Sequence, residues 1–383
     1  MNNKIKNIDK VAERIRLAVK NKEKIILYGD SDLDGITSVV IMEETIKNLG
    51  GQVFKVVFPN REIDGYGINL KALEFLKNMT PALFITLDLG IGNVKEVEVA
   101  NSMGFEIMVI DHHEPPEVLP NARVIVDPKQ SGDESGFEYL CNAGLTYKIA
   151  EEILSGNFSD KIRNSFLELV ALATISDMMP QIEDNKFFLE IGLRSLSNTF
   201  RPGLKVFLDI LGQGEVASGN FGKIISILNT AESVDFKNES YNLLTNSFRD
   251  QCLEIAEGLI SKLKYKQQKI KEIGEEVKRR IAKNANEIII FEGDPAWKLV
   301  LAGPVASIIA SKYEKPTFIY KKMDDESTGS VRSLKEGESS VQAMASCKDL
   351  LITYGGHPKA SGFRIKNENL EKFKNCLIEY FKK

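Results

Sequence analysis

The stretch Ile25-Ile26-Leu27-Tyr28-Gly29-Asp30-Ser31-Asp32-Leu33-Asp34-Gly35 runs from a short apolar segment into three carboxylates on alternate residues. The apolar run predicts a buried strand. Gly35 and the helix-like Ile36-Thr37-Ser38-Val39-Val40 predict a sharp turn after it. Alternate residues of an extended chain face opposite sides, so Asp30, Asp32 and Asp34 converge only if the strand ends there and the chain turns. Folded that way, they could surround one or two cations. An EF-hand loop would need a glutamate at its twelfth position, where this chain has Ile41 inside an apolar run.

The pattern repeats along the chain. Apolar strand-like runs occur at residues 52–58, 82–87, 106–110 and 123–126, with helical segments between most of them. Residues 8–20 carry Ile8, Val11, Ala12, Ile15, Ala18 and Val19 at helical spacing. Strands alternating with helices predict an α/β fold with a doubly wound, mainly parallel sheet. Such sheets place their ligands beyond the carboxyl ends of the strands, where the acidic and histidine motifs all fall. From 143 to about 198 the pattern turns helical, and an apolar helix over 168–175 delivers Asp177 near its end. Residues 238–284 lack proline and carry a narrow seam of Leu253, Ala256, Ile260, Leu263, Ile270, Val277 and Ile281, which predicts one long connecting helix. A second, smaller α/β domain follows, with strands expected at 287–292, 316–320 and 361–365. The expected domains are therefore 1–237, catalytic with a helical subdomain, then the helix 238–284, then 285–383.

The 383 residues suit two or three domains, and 43% apolar and 27% charged residues are those of a globular chain. A net charge of −4 gives no overall pull toward nucleic acid, so any such binding must use local basic surface. Cys141, Cys252, Cys347 and Cys376 have no CxxC spacing and are expected as buried free thiols of a reducing compartment. Met1-Asn2-Asn3-Lys4 has no apolar signal region, and no run is long enough to span a bilayer. A cytoplasmic enzyme with no membrane association is the expectation.

Only three histidines occur, and all lie in compact polar motifs. Asp111-His112-His113 ends the fourth apolar run, and Gly355-Gly356-His357 lies near the C-terminus. Asp88 closes Phe84-Ile85-Thr86-Leu87, where a carboxylate is costly to bury unless it is paired or bound to metal. Adjacent side chains diverge, so one of His112 and His113 is expected on a metal and the other on substrate phosphate. Asp111 is placed to orient a histidine. Two divalent ions, Mn2+ or Mg2+, would activate water and neutralise a phosphate there. No GxSxG-type serine neighbours a histidine, which excludes a serine triad. Gly329-Ser330-Val331-Arg332-Ser333 and Gly355-Gly356-His357-Pro358 read as a phosphate pocket, built from close backbone approach and a guanidinium.

Asp30-Ser31-Asp32-Leu33-Asp34-Gly35, Asp88, Asp111-His112-His113 and Asp177 resemble the ordered motifs of the DHH phosphoesterases. Pro59-Asn60-Arg61, Gly65-Tyr66-Gly67, the segment from Ala171 to Asp177, and Gly192-Leu193 narrow the resemblance to RecJ-like single-strand exonucleases. Ser330, Arg332 and Gly355-Gly356-His357 resemble that family's DHH-associated domain. The resemblance implies a two-metal centre held by Asp30, Asp32, Asp34, Asp88, His112 and Asp177. It implies substrate phosphate held by His113, Arg61, Ser330, Arg332, His357 and the Gly355-Gly356 backbone. The implied substrate is single-stranded nucleic acid, DNA before RNA, degraded 5′ to 3′ in repair and recombination, with repair or replication proteins as partners. Where the family carries Asn-Ala-Ala-Gly-Arg this chain has Asn229-Thr230-Ala231-Glu232-Ser233, so one substrate arginine is expected to be missing. The oligonucleotide-binding barrel of many relatives is also expected to be missing. Both departures favour an alternative, hydrolysis of short oligonucleotides or cyclic dinucleotides. A non-catalytic replication scaffold is disfavoured by the full ligand set.

Overall fold

Every residue of Ile25–Gly29 and of Ala82–Leu87 is buried, as in a parallel sheet covered on both faces. These are strands β1 and β3 of a computed structural model that describes residues 4–211, 221–283, 287–335 and 337–382. The side chain of His357 also lies outside the described set. The chain divides into two units, Met1–Ser261 and Lys262–Lys383.

In the first unit β2 (Lys55–Val57), β4 (Phe105–Ile110) and β5 (Val124–Val126) complete a sheet of order β2-β1-β3-β4-β5. All pairings are parallel. Helices α1 (Ile8–Lys20), α2 (Leu33–Asn48), α3 (Leu70–Leu76) and α4 (Val94–Ser102) cover it. Ile26, Tyr28, Phe84, Phe105, Ile107 and Val109 form much of one core face. In this strand order the chain reverses direction between β1 and β3, which leaves a crevice above their carboxyl ends. Gly29, Leu87, Ile110 and Val126 are successive register partners, so four strands end at one level.

Helices α5 (Asn142–Ile153), α6 (Asp160–Ser176), α7 (Glu183–Leu196) and α8 (Pro202–Leu211) form the expected helical part. Residues 165–174 of α6 are buried throughout. The helix stops where Met178 takes a left-handed backbone, φ 56°. A two-stranded hairpin, β6 (Ser233–Val234) with β7 (Lys237–Asn238), follows.

The helix expected over 238–284 is broken near its start. Glu239–Thr245 is one helix and Arg249–Lys283 another. Between them the Asn246 side-chain oxygen accepts the Phe248 N–H at 2.8 Å, a local bond that competes with helical pairing.

The second unit holds β8 (Ile290–Asp294), β9 (Thr317–Lys322), β10 (Glu326–Arg332), β11 (Leu351–His357) and β12 (Ala360–Lys366), in the order β11-β12-β10-β9-β8. Only β8 and β9 pair in parallel. Phe291, Phe318, Phe363 and Phe373 pack at its centre. The two motifs read as a phosphate pocket lie on strands: Ser330 and Arg332 on β10, and Gly355 and Gly356 on β11. The expectation of four free thiols is corrected: Cys347 and Cys376 are bonded, while Cys141 and Cys252 are free and buried. Their separation of 29 residues carries no motif, and tertiary packing brings their Cα atoms to 6.2 Å. Among the described residues no helix is long and apolar enough to cross a membrane.

Helix α7 crosses α6 at Gly192. A Cβ there would stand 2.1 Å from the Leu167 carbonyl oxygen and 2.7 Å from the Ala171 Cβ. Both contacts are rigid, so Gly192→Ala must push α7 off α6, at a cost of about 1–3 kcal/mol. Urea unfolding should show a lower midpoint with an unchanged slope. Because α6 ends at Asp177, the variant should also bind manganese more weakly.

Candidate metal centre

The residues that follow the four aligned strand ends are all aspartates. Asp30, Asp88 and Asp111 each donate a backbone N–H to the last carbonyl of the neighbouring strand, at 3.1, 3.0 and 3.0 Å to Leu87, Ile110 and Val126. Asp127 follows Val126 and completes the row. All four side chains are buried. Asp88 has φ 66°, a left-handed geometry that aspartate tolerates better than most side chains, and Gly90 follows at φ 115°.

Two further carboxylates come from α2. Asp32 caps that helix, its side chain accepting the Gly35 N–H at 3.1 Å. Asp34 faces the start of α5 and accepts the N–H groups of Asn142 and Ala143, both at 2.7 Å. Those donors and the positive end of the helix account for an acidic side chain at that point. Asp177 arrives from the end of α6. Arg61 lies against Asp30 and Asp32, its Nε 2.7 Å from Asp30 and a terminal nitrogen 2.8 Å from Asp32. Expected on substrate phosphate, it is here the counter-charge of the acidic loop.

The two histidines diverge. The Nδ1 of His112 sits 3.0 Å from the Leu140 carbonyl, which can only accept, so Nδ1 carries the proton. The Nε2 lone pair then faces Asp88 Oδ1 at 3.1 Å, with Asp34 and Asp177 oxygens at 3.6 and 3.7 Å. Burial, followed by the nearby His113 charge, lowers the His112 pKa to about 4, so this ring is neutral. His113 is half-exposed. Burial opposes its charge, but the 2.8 Å hydrogen bond to Asp111 and the surrounding carboxylates outweigh that and raise its pKa to about 9. Asp111 accepts the N–H groups of His112, His113 and Ile91 at 2.8, 3.2 and 2.9 Å. Burial would raise its pKa, yet these bonds and the His113 charge hold it below the usual range. Asp111 thus holds the His113 ring by a direct hydrogen bond.

Three other carboxylates, Asp34, Asp88 and Asp177, are held against their preference for charge. Burial, then repulsion by Asp177 and Asp32, pushes Asp34 well above the usual range. Burial, then Asp34 and Asp32, does the same to Asp88. Burial and Asp32 raise Asp177 to about 6. Asp88 Oδ1 and Asp177 Oδ2 are buried with no hydrogen-bond partner. Orphaned acceptors beside an imidazole lone pair repel one another unless a cation lies among them. Three groups have ligand atoms mutually within 4.8 Å: Asp30, Asp32 and Asp88; Asp34, His112 and Asp177; and Asp88, His112 and His113. The first two contain the six residues expected from sequence and offer two adjoining places for a divalent cation. The charged His113 ring, already bonded to Asp111, is a poor ligand.

In the second unit Ser330 and Arg332 share one face of β10. A Cβ on Gly303, in the helix Leu299–Tyr313, would approach an Arg332 nitrogen at 3.3 Å and the Ser330 hydroxyl at 3.6 Å. The Arg332 Nε also donates to Ser307 at 3.0 Å. Gly355 and Gly356 pair with Gly362 and Ser361 across β12.

Four contributors escaped the sequence reading. The Tyr66 hydroxyl donates to the Asp88 carbonyl at 3.2 Å and stands 3.2 Å from His113. Glycines at φ 83° and 88° on either side were the available signal. Asn229 accepts the Leu33 N–H at 3.0 Å and donates to Ser176 at 2.8 Å, tying the acidic loop to the end of α6. Its neighbour Ser233, where an arginine was expected, is buried. Asn142 bonds Ser38 beside the Asp34 carboxylate. Asp127 ends an apolar run just as Asp88 does, and its Oδ2 is buried without a partner.

A family model described as the DHH family, N-terminal domain, matches residues 24–174, and one described as the DHHA1 domain matches residues 284–383. The single-stranded-DNA-specific exonuclease RecJ of Bacillus subtilis is 31% identical over 98% of this chain and 48% of that protein. The chain thus spans about half the length of that relative. RecJ of Thermus thermophilus is 27% identical over 98% of this chain and 54% of its own. A crystal structure of exonuclease RecJ bound to manganese matches with a TM-score of 0.80 at 25% identity, covering 99% of this chain and 95% of that one.

The geometry separates the histidines by experiment. His112→Ala should abolish high-affinity manganese binding in titration calorimetry, while His113→Ala should retain it. Asp111→Asn should weaken binding about 10–100-fold, the usual effect of losing a partner that orients a ligand. Loss in His113→Ala with retention in His112→Ala would reverse the two assignments.

Proposed function

We propose, from the premise that this chain belongs to the RecJ-like branch of the DHH family, that it hydrolyses phosphodiester bonds of single-stranded nucleic acid with two divalent cations, Mn2+ or Mg2+. One observation carries this reading: the His112 Nε2 lone pair and the unpartnered Asp88 Oδ1 face each other at 3.1 Å, with a second unpartnered oxygen, Asp177 Oδ2, at 3.7 Å from the same nitrogen. Such an arrangement suits a divalent cation, which would satisfy all three atoms at once where a proton on Asp88 would satisfy one pair.

In this reading Asp30, Asp32 and Asp88 hold one ion, and Asp34, His112 and Asp177 hold the other. Bound there, the ions would supply positive charge to a phosphodiester and acidify water. His113, charged and half-exposed, donates to a substrate phosphate oxygen. Asp111 keeps that ring oriented, and Tyr66 packs its edge at 5.7 Å between ring centroids. Arg61 balances the acidic loop and is the nearest guanidinium for a phosphate entering it. In the second unit Ser330, Arg332 and the Gly355-Gly356 backbone suit a phosphate of their own, and the role expected of His357 falls on a side chain outside the described residues.

The relatives support DNA as the substrate, since the Bacillus subtilis protein is a single-stranded-DNA-specific exonuclease. Degradation from the 5′ end, in DNA repair and recombination, is the finer proposal. Short oligonucleotides are the second reading, favoured by the buried Ser233 in place of an arginine.

Manganese-dependent release of nucleotides from a labelled single strand tests the assignment. Asp88→Ala should remove activity at saturating manganese while circular dichroism stays native. Near-normal turnover in that variant would refute the two-ion site. His113→Ala should bind metal yet lose about 2.7–4 kcal/mol of transition-state stabilisation, the worth of one well-placed donor. Arg332→Ala should weaken 5′-phosphorylated strands more than 5′-hydroxyl ones. Equal cutting of circular and linear strands would exclude action from an end.

A further inference from the structure

We infer that the free edge of β2 carries a track for single-stranded nucleic acid leading away from the metal centre; this rests on the reading above and adds where the strand runs. β2 is an outer strand of its sheet. On the α3 side of that edge three lysines lie over three phenylalanines. Lys24 Nζ is 5.3 Å from the Phe54 ring centre, Lys55 Nζ 5.2 Å from Phe75, and Lys71 Nζ 6.0 Å from Phe236. The Phe75 and Phe236 rings pack against each other, tilted, at 4.9 Å and 34°. Phe54 is nevertheless 51% and Phe75 42% exposed.

The row is continuous with the site. The Phe236 carbonyl accepts the Phe58 N–H at 3.1 Å, fixing that ring where β2 ends and Pro59-Asn60-Arg61 begins. Arg61 then stacks over Tyr66 at 5.6 Å, and Tyr66 contacts the Asp88 carbonyl and His113. A fourth cation–aromatic pair thus meets the acidic pocket. The lysines are not idle: Lys24 donates to the Met79 carbonyl at 3.3 Å, and Lys71 pairs with Asp64 at 3.1 Å. The Lys71 ammonium is itself exposed, although Asp64 is nearly buried and the Lys24 bond is partly buried, so a phosphate competes with two existing bonds along the row.

The chemistry selects the occupant. A net charge of −4 argues against general attraction of polyanions, so a local row of cations is what a phosphate backbone would find. Aromatic faces between the cations accept unpaired bases by stacking, whatever the base. Duplex DNA hides its base faces and an acidic peptide has none, so single strands fit best.

The test compares Phe54→Ala and Lys55→Glu, singly and together, with the unsubstituted chain. Fluorescence anisotropy with a labelled strand of about a dozen nucleotides should show roughly ten-fold or greater loss for Phe54→Ala, the order expected for one stacked base. Lys55→Glu should also flatten the salt dependence of binding, each lost single-strand phosphate contact lowering the slope by about 0.7. Turnover of a dinucleotide, too short to reach the track, should be the same in all forms. Strand affinity unchanged in the double variant overturns the track. Because binding is read without catalysis, failure of every form to hydrolyse anything would count against the two-ion function and leave the track to be judged by anisotropy. Phe54→Tyr, which keeps the stacking face, should restore affinity; failure to do so would mean that the ring's role is packing.

Discussion

Repulsion among buried carboxylates is the constraint that the first unit is built around. Asp30, Asp34, Asp88 and Asp111 are buried, and Asp32 and Asp177 complete the pocket. Such a group is tolerated only where each charge meets a compensating one. The chain compensates unevenly. Asp111 has three backbone donors and His113. Asp34 has two donors at a helix start. Asp30 and Asp32 share Arg61. Asp88 and Asp177 keep oxygens with no donor. That gradient sorts the residues by role. The carboxylate with the most donors, Asp111, holds His113, and the oxygens of Asp88 and Asp177 left without one face the place where the proposed cations would sit.

The sheet makes this possible. Parallel strands ending at one register bring successive aspartates side by side, and the reversal between β1 and β3 opens space above them. The buried helix α6 carries Asp177 to the same pocket, which is why its close crossing with α7 at Gly192 bears on the site. Asn229 ties that helix end to the acidic loop. The segment in which the expected arginine is missing therefore still has a positioning task, performed by its first residue.

The two units differ in what they present. The first gathers negative charge and needs cations. The second, built on a mostly antiparallel sheet, presents a hydroxyl, a half-buried guanidinium and glycine backbone, groups that suit an anion. Burial lowers the Arg332 pKa without removing its charge at neutral pH.

The parallel α/β sheet of the first unit was legible in the sequence, since Ile25–Gly29 and Ala82–Leu87 are apolar but for Thr86 and each is followed by an aspartate. The candidate ligands were named there too, through the family resemblance and the cost of burying a carboxylate at the end of an apolar run. Tertiary structure alone decided what no local pattern records. Asp34 faces the start of a helix more than a hundred residues away, and His112 takes its tautomer from the distant Leu140 carbonyl. Cys347 and Cys376 meet through packing, and Arg61 turns onto the acidic loop. The glycine and serine motifs near the C-terminus are held as strands by cross-strand pairing, which no local pattern announces. Local sequence encodes periodicity and burial; partners across the fold are chosen by the energy of satisfying buried charge, which only the folded chain sums.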